Sequence, residues 1–411
     1  MLKRLLALSF IFAATSIAWM ILGGTLWSRT QDKTNSLGSR VQSVWGSAQV
    51  QSAPYAQYHE RVPEESEVEE NGKKKKVTRM NSVAHPATIT RSRVQVDLAL
   101  DHRRKGLLWY STYRVGFAGE FDLHNPYDRE HSFEFCFPIP ATQAIYDDLQ
   151  VTVDGQPVST SIGRNILTVK NLAAGATSRL RVSYRSQGLE SWRYSFGESV
   201  QQIRDFEMTM TTNFADIDFP DNTLAPQSKR RQGEGWRLDW KYANLLSGYQ
   251  IAMTMPEKLQ PGPLASQISF FAPVSLFFFF FLMFIITALR QIDLHPMNYF
   301  FLAAAFFAFH LLLAYTVDHL DIHVAFGLAA AVSLMLVTSY LRLVVGAQFA
   351  FREAALAQFV YLVLFSYAFF FKGFTGLAIT IGAILTLFVV MQVTGRIRWA
   401  ERFAPAASLK A

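Results

Sequence analysis

The sequence predicts an integral membrane α-helical bundle of six spans, one plus five, with a large all-β, sandwich-like domain inserted after the first span. Three observations carry this. Half of the 411 residues are apolar and 17% are charged, and several uncharged stretches reach about 20 residues, the length a helix needs to cross the hydrocarbon core of a bilayer. Between the first such stretch and the second, the pattern changes to short alternating runs separated by turn residues. Lys and Arg gather on one side of the spans when these alternate. A purely cytosolic enzyme, a disordered chain and a collagen-like repeat are thereby excluded.

The first apolar run, residues 5–26, follows Lys3 and Arg4. It outlasts the apolar core of about 7 to 15 residues in a cleavable signal peptide, so residues 1–26 read as an uncleaved anchor. The alternative is a signal removed near Gly23-Gly24-Thr25. Five further spans read at 270–289, 298–317, 322–341, 354–371 and 374–394. Lys3, Arg4, Arg290, Arg342, Arg352 and the basic tail fall on one face, against Lys372, Asp318 and Asp321 on the other. Both termini are therefore expected in the cytoplasm. The expected divisions are an anchor at 1–26, a periplasmic β-rich domain at 27–267, a five-helix domain at 268–395 and a cytoplasmic tail at 396–411.

In the inserted domain, Asp154-Gly155 within Leu149-Gln-Val-Thr-Val-Asp-Gly-Gln-Pro-Val signals a two-residue hairpin. Strands are expected at 93–98, 113–123, 166–169, 179–184, 207–212 and 250–255, a spacing that suits a sandwich. In the charged segment 64–79, a turn at Asn71-Gly72 would set Glu70, Glu69 and Glu67 opposite Lys73, Lys74 and Lys76. That makes a solvated hairpin of a run that could otherwise pass for a polybasic lipid contact.

The net charge of +7 lies mostly in the membrane part, where ten Lys/Arg face five acidic residues. Only +2 remains for the inserted domain, so the basic balance points to membrane orientation and away from nucleic acid. No catalytic or phosphate-binding signature occurs, no Cys/His metal spacing is present, and no cofactor is expected. The lone Cys136 cannot form an intramolecular disulfide. Asp318-His319-x-Asp321-x-His323 has ligand-type side chains, but it occupies a short turn between spans where polar residues stay in water.

His310 is the candidate intramembrane polar site, because an ionisable group at membrane depth must face other helices or a cavity. A bond to Ser333, Thr338 or Ser366 would suffice to house it. The phenylalanines 277–281 read as lipid-facing, and Trp27, Tyr299 and Trp399 as interfacial aromatics. The span interiors so defined hold no Asp, Glu, Lys or Arg, which disfavours ion or proton transport.

The stretch Leu294-His-Pro-Met-Asn-Tyr-Phe-Phe-Leu-Ala-Ala-Ala-Phe-Phe-Ala-Phe-His, the one-plus-five layout and the closing Gly395-Arg-Ile-Arg-Trp resemble the CreD inner-membrane protein family. Trp45-Gly46 with Gln49, Asp205-Phe-Glu-Met-Thr-Met-Thr-Thr-Asn-Phe, Leu224-Ala-Pro and Trp236-Arg-Leu-Asp-Trp are similar to that family's order of motifs. The chain departs from it at Ser52-Ala-Pro-Tyr-Ala-Gln-Tyr-His, which is shorter and polar and leaves that strand's pairing open.

The resemblance implies an envelope-integrity role in the bacterial inner membrane under a stress-responsive system, with no site residue carried over. A non-catalytic protein acting through its periplasmic domain on an envelope protein or lipid partner is the leading expectation. A membrane enzyme or lipid/solute carrier with a cavity around His310 is one alternative, and a sensory partner of a signalling system another.

Overall fold

The structure is a computed structural model that describes residues 2–395 except 71–72, 106–107, 142–143, 159–160, 164, 198 and 372. The chain forms two compact units. Met1–Ser36 with Leu259–Ala411 make a helical unit, and Leu37–Lys258 make a β unit. Among the described residues six helices are long and apolar enough to cross a membrane. They are Leu2–Trp45, Pro261–Arg290, Pro296–Thr316, Ile322–Val344, Phe349–Phe370 and Thr375–Thr394.

The first helix does not stop at residue 26 but runs on to Trp45. Leu37, Val41 and Trp45 recur every fourth residue, which sets them on one helical face, and that face packs on Leu108, Tyr110 and Leu189. The second helix starts at Pro261, ahead of the apolar run, with proline in its first turn where the missing N–H costs nothing. Leu264, Ala265 and Ile268 then join the core of the helical unit. The third helix begins after His295, whose ring accepts a bond from the Met297 N–H at 3.2 Å. The fourth begins after Asp321, whose carboxylate accepts from the His323 N–H at 2.9 Å. Both satisfy donors a helix start leaves unpaired. The fifth helix contains two wide π-helical stretches, Phe349–Ala354 and Phe359–Leu364.

The β unit contains an eight-stranded and a five-stranded sheet. The larger sheet runs Gln156–Pro157, Tyr146–Val153, Thr177–Leu189, Thr112–His124, Ile89–Leu100, Gln201–Thr212, Gly235–Ser247, Ser228–Gln232. The smaller runs Ser161–Ile162, Asn165–Leu172, His131–Pro138, Tyr55–Glu70, Lys73–Ala87. A three-stranded sheet sets Gln49–Ser52 parallel to Ser191–Ser195, which pairs antiparallel with Ile251–Thr254. Every strand expected from alternation lies in one of these ladders. Thr177–Leu189 shows why: buried and exposed positions alternate along its length. Asp154 and Gly155 take φ values of 52° and 80° and close the expected two-residue hairpin.

The inner faces of the two large sheets share one core. Phe117 and Phe121 from the larger meet Phe137 of the smaller, with ring centroids 5.8 and 6.3 Å apart. Each such buried ring contributes roughly 1.5–3 kcal/mol of transfer free energy. A buried amide pins the loop after Thr112–His124. The Nδ2 of Asn125 donates to the carbonyls of Arg129, Leu172 and Ala173 at 2.9–3.0 Å, and its Oδ1 accepts from the Tyr127 N–H at 3.0 Å. The long pair Tyr55–Glu70 and Lys73–Ala87 carries the register the charges suggest, with Glu70 opposite Lys73, Glu69 opposite Lys74 and Glu67 opposite Lys76. The intervening Asn71-Gly72 lies outside the described residues.

Candidate functional site

His310 sits on the third helix and is 1% exposed. Its Nδ1 meets the carbonyl oxygen of Phe306 at 3.0 Å, one turn back on the same helix. Trp19 of the first helix and Phe309 stand edge-to-face against the imidazole, with centroids at 5.7 and 4.9 Å. None of the neighbours expected from sequence bonds to it. Ser333 instead donates to the carbonyl of Ala305 at 2.6 Å and accepts from Gln358 Nε2 at 2.7 Å, while Thr338 bonds to Leu334 of its own helix. The physical reason is height along the helix: Ala305 lies five residues from His310, about 7.5 Å of rise.

When His310 donates from Nδ1, its Nε2 is an acceptor, whereas the indole N–H of Trp19 is a donor only. Both atoms are buried and without a partner among the described residues. A pair of rings in contact therefore keeps one unused donor and one unused acceptor inside the bundle. Near the end of the third helix, Arg29 pairs with Asp318 at 3.0 Å and reaches the carbonyl of Ala314.

The turn cluster has other duties. Asp318 is held by Arg29, Asp321 caps the fourth helix, and His323 packs on Phe370 at 5.1 Å. Among the described residues no group of three or more His, Cys, Asp or Glu side chains is placed to hold a metal ion. Cys136 is buried, and burial is the main cause that pushes its thiol up to about 11, so the reactive thiolate is scarce near neutral pH.

Two expectations need correction. Phe277 and Phe281 are exposed, but Phe279 and Phe280 between them are buried, against Phe306 and Tyr299 respectively; a helix turns successive residues to different sides, so a run of five cannot all face lipid. Tyr299 is buried in the bundle core and does not lie in an interfacial belt. Trp27 is exposed, and Trp399 lies outside the described residues.

Sequence reasoning passed over a set of polar contacts between helices. Gln358 is fully buried between the two π-helical stretches, Ser275 donates to the carbonyl of Tyr361, and the Tyr361 hydroxyl bonds to Thr386 at 2.7 Å. Arg290 pairs with Glu353, which belongs to the fifth helix because that helix starts at Phe349, ahead of residue 354. A carboxamide isolated in an apolar run was the available signal for Gln358.

On the outer face of the eight-stranded sheet, charges alternate strand by strand. Arg181 meets Glu120 at 2.8 Å, Arg179 meets Asp122 at 2.6 Å, and Arg93 meets Asp205 and Glu207 at 2.7 and 3.1 Å. Lys241 then reaches Glu207 at 2.7 Å. The guanidinium of Arg179 holds its proton more tightly than usual, first because it donates to the Asp122 carboxylate. The arrangement pairs these charges with one another across neighbouring strands.

With one helix, then a β unit, then five helices in place, the family profile described as Inner membrane protein CreD matches residues 1–400, nearly the whole length of the chain. The chain belongs to the CreD family. It is thus a membrane protein of an inner-membrane family, and the match points to no catalytic family. No curated protein matches the chain.

Among solved structures, this CreD-family chain is similar to a putative nutrient binding protein from Legionella pneumophila. The identity is 11% and the TM-score 0.32, over 57% of this chain and 76% of the other. It is also similar to an M1 zinc metallopeptidase from Deinococcus radiodurans crystallised with a Tyr-Ser-Ala substrate. That match has 10% identity and a TM-score of 0.25, over 41% and 42% of the two chains.

Proposed function

We propose that this CreD-family protein is a non-catalytic element of the inner membrane that supports envelope integrity under stress, acting through residues 27–267 on the periplasmic side, with both termini in the cytoplasm. The observation that carries the reading is the burial of His310 to 1% exposure, with the rings of Trp19 and Phe309 edge-to-face against it and the carbonyl of Phe306 at its Nδ1. A carrier or enzyme working at membrane depth needs a route from solvent to its polar group, and an imidazole at 1% exposure supports the reading without one. The self-satisfied charges on the larger sheet fit a contact or packing role better than a chemical one. The Lys/Arg asymmetry supports the orientation.

Topology is tested by single cysteines placed at Asn71 and Asp154, since the native Cys136 is buried. Labelling by a membrane-impermeant maleimide in intact spheroplasts is the expected result, and labelling at Gln291 instead would invert the orientation.

The unused His310 Nε2 and Trp19 Nε1 favour one second reading, a polar intramembrane site that binds or moves a solute. Complementation of a deletion strain decides between them. His310→Gln and His310→Phe should both restore resistance to envelope stress at normal protein level. A stable, abundant His310→Gln variant without function would establish the second reading in place of the first.

A further inference from the structure

We infer that a cleft of about 720 Å³ in the β unit receives an extended peptide segment of a partner protein, which adds as a strand to residues 201–204, presents an apolar side chain to Phe196 and sets a carboxylate against Arg204. The inference deepens the contact role proposed above and rests on that reading, but not on which side of the membrane the unit lies.

The cleft exists because two parallel strands part. Gln201–Thr212 and Ile89–Leu100 pair in register from Phe206 opposite Ser92 onward, but not before. Asp205 adopts a left-handed φ of 39°, the ladder between Ile89–Leu100 and its other neighbour shifts register between Ile89 and Arg91, and Arg93 donates to the Asp205 carbonyl at 2.6 Å. Residues 201–204 therefore keep one edge in the ladder with 244–247, while the other has no strand partner among the described residues. On the far wall, Lys73–Ala87 is itself the last strand of the five-stranded sheet. Unpaired edges of this kind are templates for another chain.

The floor and rim define the occupant. Tyr194, Phe196 and Phe206 form a ring cluster with centroids 5.0–5.8 Å apart. The first and last are buried, while Phe196 keeps part of its surface open, and Tyr55 beside the cleft is 45% exposed. An apolar side chain gains from that surface. Among the described lining residues Arg204 alone is charged, and it is exposed, so charge complementarity selects a carboxylate, from Asp, Glu or a free C-terminus. The volume falls in the usual range for ligand sites, about 300–1,000 Å³.

The test uses the full-length protein in detergent and a phage-displayed library of random heptapeptides, with affinities of the enriched peptides measured by fluorescence anisotropy. Enriched sequences should alternate apolar and polar residues and carry a carboxylate. Arg204→Ala should weaken them about tenfold or more, the worth of one charge-assisted hydrogen bond. Ala84→Trp, at an exposed position on the cleft wall, should abolish binding without changing circular dichroism or thermal unfolding. Methylating alternate backbone nitrogens of the best peptide should abolish binding for one of the two alternating sets and not the other, because a strand offers every second N–H to one neighbour.

Equal enrichment on wild type and Ala84→Trp, or indifference to both methylation sets, would overturn the inference. Concentration-dependent dimerisation of the wild type that Ala84→Trp abolishes would assign the cleft to a second copy of this chain and overturn it too. Those outcomes leave the spheroplast labelling untouched, so failure of the cleft and failure of the topology can be told apart.

Discussion

Replacing Asn125 by alanine removes a buried amide that holds four backbone groups at once. In the native unit its Nδ2 serves three carbonyls and its Oδ1 serves one N–H, all in a fully buried setting. Each net hydrogen bond contributes about 1 kcal/mol, and each buried group left unpaired costs about 1–3 kcal/mol. Some of the stranded carbonyls regain partial satisfaction from water entering the loop, which brings the expected loss to about 3 kcal/mol. Hydrogen–deuterium exchange of the intact protein reads this directly. Protected amides in Thr112–His124 and Thr177–Leu189 should exchange about 150-fold faster, at 1.36 kcal/mol per factor of ten. Asn125→Asp adds a pH signature. Its carboxyl, placed among carbonyls, would have a folded pKa above the unfolded value of about 3.9. Both states are then neutral below that value, and stability falls by up to about 1.36 kcal/mol per unit as pH rises above it. The variant should therefore be better protected at pH 4 than at pH 7, each relative to wild type. Exchange within threefold of wild type in Asn125→Ala would show that the loop is held by something other than this amide.

Three further outcomes follow from packing and ionisation. Gly235→Ala should cost about 3 kcal/mol or more, because its Cβ would lie 1.9 Å from the carbonyl oxygen of Thr212, a backbone atom that cannot move aside cheaply; faster exchange along Gly235–Ser247 is the readout. Tyr146 is pushed up to about 12, chiefly by burial, so its folded pKa exceeds the unfolded value near 10; stability should be intact below pH 10 and fall by about 1–2 kcal/mol by pH 12, the partial exposure of the ring screening the rest. Absorbance at 295 nm should show normal tyrosines ionising near pH 10 and a second group ionising only as the fold is lost. His310→Phe should leave the melting temperature in detergent within about 2 °C, since the lost contact is to a carbonyl inside its own helix and phenylalanine keeps the rings of Trp19 and Phe309 in contact; a fall of 10 °C, followed by tryptophan fluorescence, would show that the imidazole nitrogens carry more of the packing than their bonds indicate.

Elements governed by local chemistry were legible in the chain. An apolar run near bilayer length reads as a helix that can span a bilayer, and Asp154-Gly155 supplies the two positive φ angles that a tight hairpin turn needs and few other pairs adopt. The opposed Glu and Lys registers at 67–76 follow from a two-residue turn, since pairing outward from it is forced. The helical stretch before Trp45 was legible in principle from Leu37, Val41 and Trp45, but the polar residues between them conceal a one-sided stripe. What could not be read depends on distant partners. The contact of Trp19 with His310, the parallel pairing of Ile89–Leu100 with Gln201–Thr212 and the cleft at Asp205 all join residues far apart in the chain, and composition holds no record of who meets whom. His310 was identifiable as a site by its cost in lipid, whereas its hydrogen-bond partner was not.

The three-stranded sheet ties the fold to the ribosome's clock. Its first strand, Gln49–Ser52, is among the earliest β segments made, yet its parallel partner is Ser191–Ser195, and Ile251–Thr254 completes the set only as the second helix is about to be synthesised. At about 5–20 residues per second, the roughly 200 residues between first and last strand take on the order of 10–40 s to appear. Throughout that interval an unpaired edge is exposed to whatever else is unfolded nearby. Gln49 and Gln51, fully buried once the unit closes, keep that waiting segment polar while it is open. A nascent chain arrested before residue 251 should accordingly be trapped by holdases and cut by proteases, and one arrested after the second helix should resist both.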